Sequence, residues 1–389
     1  MIPPAYSLFD LVRYFLKLGT TGFGGPVALV GYIHRDLVEE RKWISEEEYK
    51  EGLALAQLAP GPLAAQLGIY LGYVHHGILG ATLSGVAFVL PSFIMVVLLG
   101  MAYTIYGGLP WMQSVFYGVG AAVIGIIGVS AYKLTTKSVS KWDMHSMQSN
   151  WILWVFYLFS AALTVITKNE EVLLFVALGF LYMVVKAPPS WIQKSSASSV
   201  TWISFMGIFN LQFGKLTQIA WFFTKAGAFV FGSGLAIVPF LHSGVVNEYK
   251  WLTEQQFVDA VAVAMITPGP VVITVGFIGY LVSGFTGACV AALATFLPCY
   301  LLTILPAPYF KKIAANKSVK AFVDGITAAV VGALTGAVMV IALKSIVDIP
   351  TLVIALVSGT SLLYFKKVKE LHIIAAAALV GWVLKSYLV

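Results

Sequence analysis

Long apolar stretches, separated by short charged or glycine- and proline-rich segments, run along the whole 389-residue chain. They lie at 7–33, 52–75, 78–106, 112–134, 150–167 and 170–186, and again at 216–242, 258–282, 284–306, 321–344, 349–365 and 371–388. Many reach or approach the roughly 20 residues that carry a helix across a bilayer core. They lack the alternation of barrel strands. The pattern predicts an all-α polytopic membrane protein.

The second half of the chain repeats the first. Residues 15–68 match 223–276 at an offset of 208, and about a third of these aligned positions are identical. Beyond Gly68 the offset becomes 207 and the match continues as far as Gly125 and Gly332. The sequence therefore predicts two homologous six-helix repeats, at 1–187 and 216–389. Residues 188–215 between them form a linker or an extra span.

Each repeat interrupts its first two apolar stretches with glycine and proline motifs. Gly24, Gly25 and Pro26 return as Gly232, Ser233 and Gly234, and Pro60, Gly61 and Pro62 return as Pro268, Gly269 and Pro270. Both residue types weaken or break a helix, and the freed backbone groups must be buried or line a polar cavity. Matched broken helices are typical of a transport site at a repeat interface. A structural kink or close helix packing is the alternative.

Polar and basic side chains accompany these motifs. They are Gln57, Gln66, Thr267 and Thr274 beside the Pro-Gly-Pro motifs, and Lys17 and Lys225 before the glycine motifs. Amides and hydroxyls donate hydrogen bonds to an oxyanion, as backbone N–H groups at a helix start also do. A lysine within a span is functional or snorkels to the interface. A matched pair of cations would suit a divalent anion.

Other polar residues have structural or proton-binding interpretations. Ser45 and Thr253 each follow a Trp-Ile/Leu pair and predict capped helix starts. His34 and His242 are expected to lie at the membrane interface. Asp259 and Asp324 are acids within apolar stretches and are candidates for binding a proton. No spacing typical of a metal site is present, so no metal or other cofactor is expected.

Composition agrees with a membrane protein: 59% of residues are hydrophobic and 11% are charged, with a mean hydropathy of +0.88. The net charge of +7 lies in short loops, which indicates cytoplasmic anchoring rather than nucleic-acid binding. If successive segments cross the membrane in alternation, Lys250, Lys317 and Lys320 of the second half fall on one side, which is then cytoplasmic. The basic residues of the first half divide almost evenly between the two sides. Inverted repeats, which cross the membrane in opposite directions, would make the two distributions compatible.

The motifs resemble those of the chromate ion transporter family. The resemblance rests on Phe23-Gly24-Gly25-Pro26-Val27-Ala28, Arg41-Lys42-Trp43, Gln57-Leu58-Ala59-Pro60-Gly61-Pro62, Phe231-Gly232-Ser233-Gly234-Leu235 and Pro268-Gly269-Pro270. It covers both halves, as in the long, fused members. It implies a multi-pass transporter of the inner (plasma) membrane that exports chromate and confers resistance, with sulfate as a related anion and halves of opposite orientation.

The expected mechanism is alternating access, in which four broken helices meet near the midplane and bind a tetrahedral dianion. No nucleotide-binding motif is present, so an ion gradient or the membrane potential must drive transport; a proton or a counter-anion remains open as coupling ion, as does a homodimer. A sulfate or other oxyanion importer or exchanger is the main alternative. A cation or neutral-solute transporter would place acids near the breaks, and an enzyme would need a nucleophile and a base; the sequence shows neither.

Overall fold

The computed structural model describes residues 6–140, 144–168, 172–189, 214–228, 234–310, 316–365 and 368–387. Within these ranges every regular element is helical, which confirms the predicted all-α class. The first repeat contains α1 (Leu8–Thr21), α2 (Gly25–Ile33), α3 (Glu46–Leu58), α4 (Leu63–Tyr106), α5 (Pro110–Ser138), α6 (Met144–Ser149), α7 (Trp151–Thr167) and α8 (Val172–Lys186). The second contains α9 (Lys215–Ala228), α10 (Ile237–His242), α11 (Glu254–Ile266), α12 (Thr274–Ile304), α13 (Lys317–Ser345), α14 (Ile349–Tyr364) and α15 (Glu370–Tyr387).

Local features recur at the sequence offset. π-Helices at His34–Glu40 and Ser243–Glu248 follow α2 and α10. The predicted caps Ser45 and Thr253 both form capping boxes. The side chains of His34 and Glu46 lie 2.8 Å apart, and the equivalent contact between His242 and Glu254 measures 2.6 Å. Each contact ties a π-helix to the start of the next helix. Both histidines therefore have a structural role in this fold.

The helix α4 is a hairpin rather than one continuous rod. Gly77 has φ +61° and the chain reverses there, so that Gly72 lies against Gly80 and Ile69 against Gly85. The same reversal occurs in α12 at Gly284, which also has φ +61° and brings Gly279 against Gly287. Only a residue without Cβ adopts this backbone region freely. Each long helix thus consists of a short first arm and a longer second arm.

The segments containing the Pro-Gly-Pro and glycine motifs also fold back. Across the first Pro-Gly-Pro turn, the Tyr70 hydroxyl donates to Glu51 at 3.3 Å and His75 lies 3.3 Å from Glu48. Across the first glycine motif, Tyr6 of the α1 end stacks on Trp43. The sequence predicted half-helices separated by unwound centres, and this is confirmed. Counting 7–33 and 52–75 as single crossings was wrong, because each pair of half-helices returns to the side on which it entered.

These reversals define two ends of the molecule. The start of α1, the turn before α3 and the reversal in α4 share one end, where Tyr6 lies within 5.5 Å of the rings of His75 and His76. We call this end the N-terminal face. The α4–α5 turn, the start of α11 and the end of α15 share the opposite end, since Gly107, Trp251 and Lys385 line one cavity there. We call it the C-terminal face.

The two faces correct the grouping of basic residues. Lys250 lies on the C-terminal face next to Trp251, and Lys344 joins it there through a contact with Glu254. Lys317 begins α13 on the N-terminal face, because α13 runs alongside α7 in the same direction. Grouping Lys250 with Lys317 and Lys320 was therefore wrong. The α11 helix turns back at Pro-Gly-Pro, so it does not carry the chain across as the sequence reading assumed.

The repeats exchange their later helices. In the first repeat α5 lies between α14 and α15 of the second, and α13 of the second lies against α7 and α8 of the first. Glycines allow these close approaches at equivalent positions. Gly118 of α5 meets Ala377 of α15, and its counterpart 207 residues later, Gly325 of α13, meets Gly179 of α8. In the same way Gly125 meets Ala355, and its counterpart Gly332 meets Tyr157. The fifth apolar stretch of each repeat (150–167 and 349–365) packs mainly on the other repeat. Each repeat therefore depends on the other for its core.

The second arm of α4 also contacts the second repeat. Moving along this arm, Ser92, Phe93 and Gly100 meet Gly269, Gly276 and Tyr280 in the same order. The arm is thus parallel to the first arm of α12. Because α12 reverses at Gly284, the second arms of α4 and α12 are antiparallel, and the hydroxyls of Thr82 and Tyr300 meet at 2.6 Å near their opposite ends.

Within the described residues, four helical elements are long and apolar enough to cross a membrane: Leu63–Tyr106, Pro110–Ser138, Val271–Tyr309 and Lys317–Ser345. The first and third of these contain the reversals at Gly77 and Gly284. Shorter apolar helices occupy Trp151–Thr167, Leu173–Lys186 and Ile349–Tyr364. On the second arm of α4, exposed apolar side chains recur every three or four residues: Leu83, Val86, Leu90, Ile94, Leu98 and Met101. This stripe presents hydrocarbon to the bilayer. The predicted linker or extra span at 188–215 lies outside the described residues except for 188–189 and 214–215.

Candidate functional site

Backbone breaks from opposite repeats meet in the interior. The N–H of Gly269 donates to the carbonyl of Gly22 at 2.9 Å, which joins the second Pro-Gly-Pro turn to the first glycine motif. Ser92 reinforces the junction, because its hydroxyl lies 2.7 Å from the Pro268 carbonyl and 3.3 Å from that of Gly19. The Gly22 and Pro268 carbonyls, left over where helices end, are thus satisfied by groups from the other repeat.

Cys299 makes the equivalent contacts on the other side of the junction. It stands 207 residues after Ser92, and its thiol lies 3.4 Å from the Gly227 carbonyl, the counterpart of Gly19. A Cβ added to Gly61 would come within 3.1 Å of the Cys299 Cβ, so this residue touches the first Pro-Gly-Pro turn. Each repeat therefore supplies one small polar side chain that joins its own first helix to the other repeat's turn.

Both Pro-Gly-Pro turns place their glycine in the positive-φ region. Gly61 has φ +146° and Gly269 has φ +96°. All of Gly61, Pro62, Pro268, Gly269 and Pro270 are buried, and Pro60 is half-buried. After each turn a helical segment starts, at Leu63 and at Val271, with its N-terminal amides pointing toward the turn. The resulting partial positive charge favours an anion beside each turn.

The polar side chains predicted beside the turns differ in their availability. Gln66 is fully buried and its amide donates to the Pro60 carbonyl at 2.8 Å, while Oε1 has no partner within the described chain. Thr267 and Thr274 are buried too, but their hydroxyls donate to Val263 and Val271 carbonyls at 2.7 Å. Gln57 is exposed. The Gln66 amide nitrogen carries two N–H groups and donates to one acceptor among the described residues, so its second N–H can donate to a bound anion without breaking a helical hydrogen bond. Oε1 is an acceptor and does not bind an anion.

The remaining predicted residues lie at the edges of this centre or outside the described residues. Gly24 is exposed and Gly25 and Pro26 are half-buried at the start of α2, with φ +110° at Gly24. Lys17 is exposed, and Lys225 is half-exposed with its ammonium 5.6 Å from the Trp221 ring centre. Gly234 is buried at the start of a 3₁₀ turn. Gly232 and Ser233 lie outside the described residues.

Sequence reasoning missed an acid beside the first glycine motif. A Cβ added to Gly25 would lie 3.8 Å from the Glu370 carboxylate, which enters from the start of α15. Lys133 of α5 is close enough to act on Glu370 electrostatically. The statement that no acid lies near the breaks was therefore wrong. Glu370 is 345 residues from Gly25 in sequence (370 − 25), so only the exchange of helices between repeats reveals the proximity.

A cavity of about 940 Å³ with a mixed polar and apolar lining opens at the C-terminal face. Its walls come from the end of α4, the start of α5, the start of α11 and the end of α15, and include Asp259, Tyr103, Tyr117, Gln255 and Lys385. Among the described residues that line it, none belongs to the glycine or Pro-Gly-Pro motifs.

The chain was compared with known proteins. The family model for "Chromate transporter" matches residues 9–184 and 217–382. A "Chromate transport protein" of Cupriavidus metallidurans is 64% identical over 98% of this chain and 94% of its own length. A "Probable chromate transport protein" of Synechococcus elongatus is 59% identical (98% and 96%), and a "Chromate transport protein" of Pseudomonas aeruginosa is 29% identical (98% and 93%). No solved structure matches the chain significantly.

Proposed function

The chain belongs to the chromate transporter family, and on that premise we propose that it exports chromate across the plasma membrane by alternating access and so confers chromate resistance. It is a transporter rather than an enzyme. Chromate as the transported anion follows from the family and from the names of the relatives. A sulfate or other oxyanion exchanger is the second candidate, because tetrahedral dianions of similar size need similar groups.

One observation carries the transport proposal: the Gly269–Gly22 hydrogen bond with Ser92 beside it joins breaks from the two repeats. The helical segments that begin at Leu63 and Val271 present their N-terminal amides to the two Pro-Gly-Pro turns, and in this proposal these amides bind the anion. An anion there would be held mainly by neutral donors, which limits the desolvation that a buried charge partner requires. Moving a dianion outward across 100 mV releases roughly 4.6 kcal/mol, so the membrane potential itself favours export.

Proteoliposomes test the substrate assignment. At a fixed potential we expect chromate flux well above phosphate flux, with sulfate competing. Lys17→Ala and Lys225→Ala should each lower chromate flux by about 5- to 30-fold if each lysine stabilises the bound dianion by one to two kcal/mol. Lys137→Ala at the end of α5 is the control and should leave flux unchanged. Absence of chromate flux would reject the substrate; full flux in both lysine variants would reject charge balance by these residues.

We further propose that the two repeats are inverted and that the N-terminal face is cytoplasmic. The antiparallel second arms of α4 and α12 support inversion. Charge supports the orientation, because basic residues of the described chain concentrate on the N-terminal face. They are Arg35, Arg41, Lys42, Lys50, Lys133, Lys137, Lys186, Lys317, Lys320 and Lys369, against Lys168, Lys215, Lys250, Lys344 and Lys385 on the other. Cytoplasmic loops carry the Lys and Arg excess.

Equivalent positions on opposite faces test both statements. In a background lacking Cys289 and Cys299, we expect Lys250→Cys to react with a membrane-impermeant maleimide in intact cells. Lys42→Cys, its counterpart 208 residues earlier, should react only after the membrane is opened, as should Lys137→Cys. Labelling of Lys42→Cys and Lys250→Cys from the same side would refute inversion. The opposite pattern for all three would reverse the orientation alone.

A further inference from the structure

We propose that Asp259 binds a proton from the C-terminal face. Its protonation changes the conformation of the second Pro-Gly-Pro turn and so couples proton movement to anion transport. The inference rests on the proposed function, since it names the coupling ion for the same transporter. It assigns a role to the cavity beside α11, which the chromate site does not use.

Asp259 is an isolated carboxylate in an apolar setting. Its side chain is 2% exposed, lies on the wall of the 940 Å³ cavity and accepts hydrogen bonds from Tyr103 at 2.7 Å and Gln255 at 2.8 Å. Both donors are neutral, and within the described chain no Lys, Arg or His forms an ion pair with Asp259. Burial disfavours the charged form of a carboxyl, whereas its two donors favour it. A carboxyl balanced in this way, on the wall of a cavity that opens to the C-terminal face, suits reversible protonation.

The surrounding charges leave Asp259 as the group that can exchange a proton with the cavity. Lys385 of α15 also lines the cavity, with its ammonium 4.9 Å from the Tyr117 ring centre. Tyr117 of α5 donates to Asp348 at 2.6 Å. Glu254, at the start of the same helix, is held by His242 and Lys344. The 3₁₀ turn before α12 and the first arm of α12 contribute only apolar Leu281 to this wall.

The second arm of α4 connects Asp259 to the breaks. Tyr103 binds Asp259 near the start of α11, and Ser92, three turns earlier on the same arm, binds the Pro268 carbonyl just beyond the end of α11. Protonation of Asp259 removes its negative charge and turns one acceptor oxygen into an O–H donor, so the bond from Tyr103 weakens or reverses its direction. The contact between α4 and α11 is then weaker, and Ser92 on the same arm passes the change to Pro268. Loss of the proton restores the contact.

The first repeat provides the matched control. Glu51 occupies the position of Asp259, but it is half-exposed and accepts from Tyr70 of its own repeat at 3.3 Å. The position equivalent to Tyr103 is Phe310, which has no hydroxyl. The arrangement that links a buried acid to the opposite repeat is therefore specific to the second half.

The test uses the full chain in proteoliposomes with the potential clamped and a pH gradient imposed. For one coupled proton, the equilibrium ratio of chromate across the membrane should change about tenfold per pH unit. Asp259→Asn should still let chromate equilibrate but abolish this response, and Glu51→Gln should respond as the wild type does. Tyr103→Phe should remain coupled, with its pH dependence moved to higher pH because the carboxylate loses a donor.

The outcomes separate this inference from the proposed function. Wild-type chromate flux with no response to the pH gradient, or an unchanged response in Asp259→Asn, would overturn the proton site and leave chromate transport standing. If the wild type moves no chromate, the proposed function fails, and infrared difference spectra decide the inference instead. A titrating protonated-carboxyl band present in the wild type and missing from Asp259→Asn would support it; identical spectra would overturn it.

Discussion

Gly269→Ala is expected to lower chromate flux by about 5- to 30-fold. Gly269 has φ +96°, a region that costs an L-residue with a Cβ about 1–2 kcal/mol. The added Cβ would also overlap the Ser92 hydroxyl, whose bond to the Pro268 carbonyl stabilises the turn. The conformation with the Gly269–Gly22 hydrogen bond would therefore be depopulated. Initial flux in proteoliposomes, normalised to the amount of folded protein, measures the effect.

Two controls separate the strain from the overlap. Gly31→Ala in α2 introduces a Cβ with nothing within 4 Å and an ordinary backbone conformation, and should transport normally. Gly269→Ala combined with Ser92→Ala removes the overlap but not the strain. Its flux should exceed the value expected if the two single effects were independent. Independent effects would mean that the overlap with Ser92 does not limit flux. Wild-type flux in Gly269→Ala alone would mean that the turn does not need this geometry.

Gly118→Ala is expected to destabilise the folded transporter by about 1–3 kcal/mol. A Cβ at Gly118 of α5 would overlap the carbonyl oxygen of Ala377 in α15. Backbone of a neighbouring helix cannot move aside as a flexible side chain can, so α5 and α15 must separate. Because this contact joins the two repeats, the loss should appear as a lower melting temperature and a lower yield of monodisperse protein in detergent.

A graded series on equivalent positions tests the packing argument. Gly325→Ala, the counterpart in α13, would meet the Tyr182 Cβ at 2.8 Å and should be less damaging. Gly128→Ala, in the same helix as Gly118 but with nothing within 4 Å, should be neutral or stabilising by about 0.4–1 kcal/mol. Equal melting temperatures for Gly118→Ala and Gly128→Ala would show that the close approach of α5 and α15 does not limit stability.

Several features of the fold were readable from the chain because their causes are local. Helix-length apolar runs, the capped starts at Ser45 and Thr253, and the interruptions at the Pro-Gly-Pro motifs all follow from neighbouring residues. The internal repeat extended each of these predictions from one half to the other. The family resemblance rested on the same motifs and is confirmed over both halves.

The direction of the chain after each break was not readable. Proline and glycine end a helix, but they do not specify whether the next helix continues across the membrane or turns back. Contacts far from the motif, such as Tyr70 with Glu51 and Tyr6 with Trp43, determine that choice. The assignment of Lys250 to a face failed for this reason.

The sequence by itself determined that this is a duplicated helical membrane protein with broken helices at two motifs per repeat, because composition, periodicity and helix-breaking chemistry act over a few residues. Only the tertiary structure decided that the breaks turn back, that Gly22 meets Gly269, that Glu370 reaches Gly25 and that Tyr103 holds Asp259. Each of these contacts joins residues from different repeats. They arise because the repeats bury their later helices against each other, and no local pattern records that exchange.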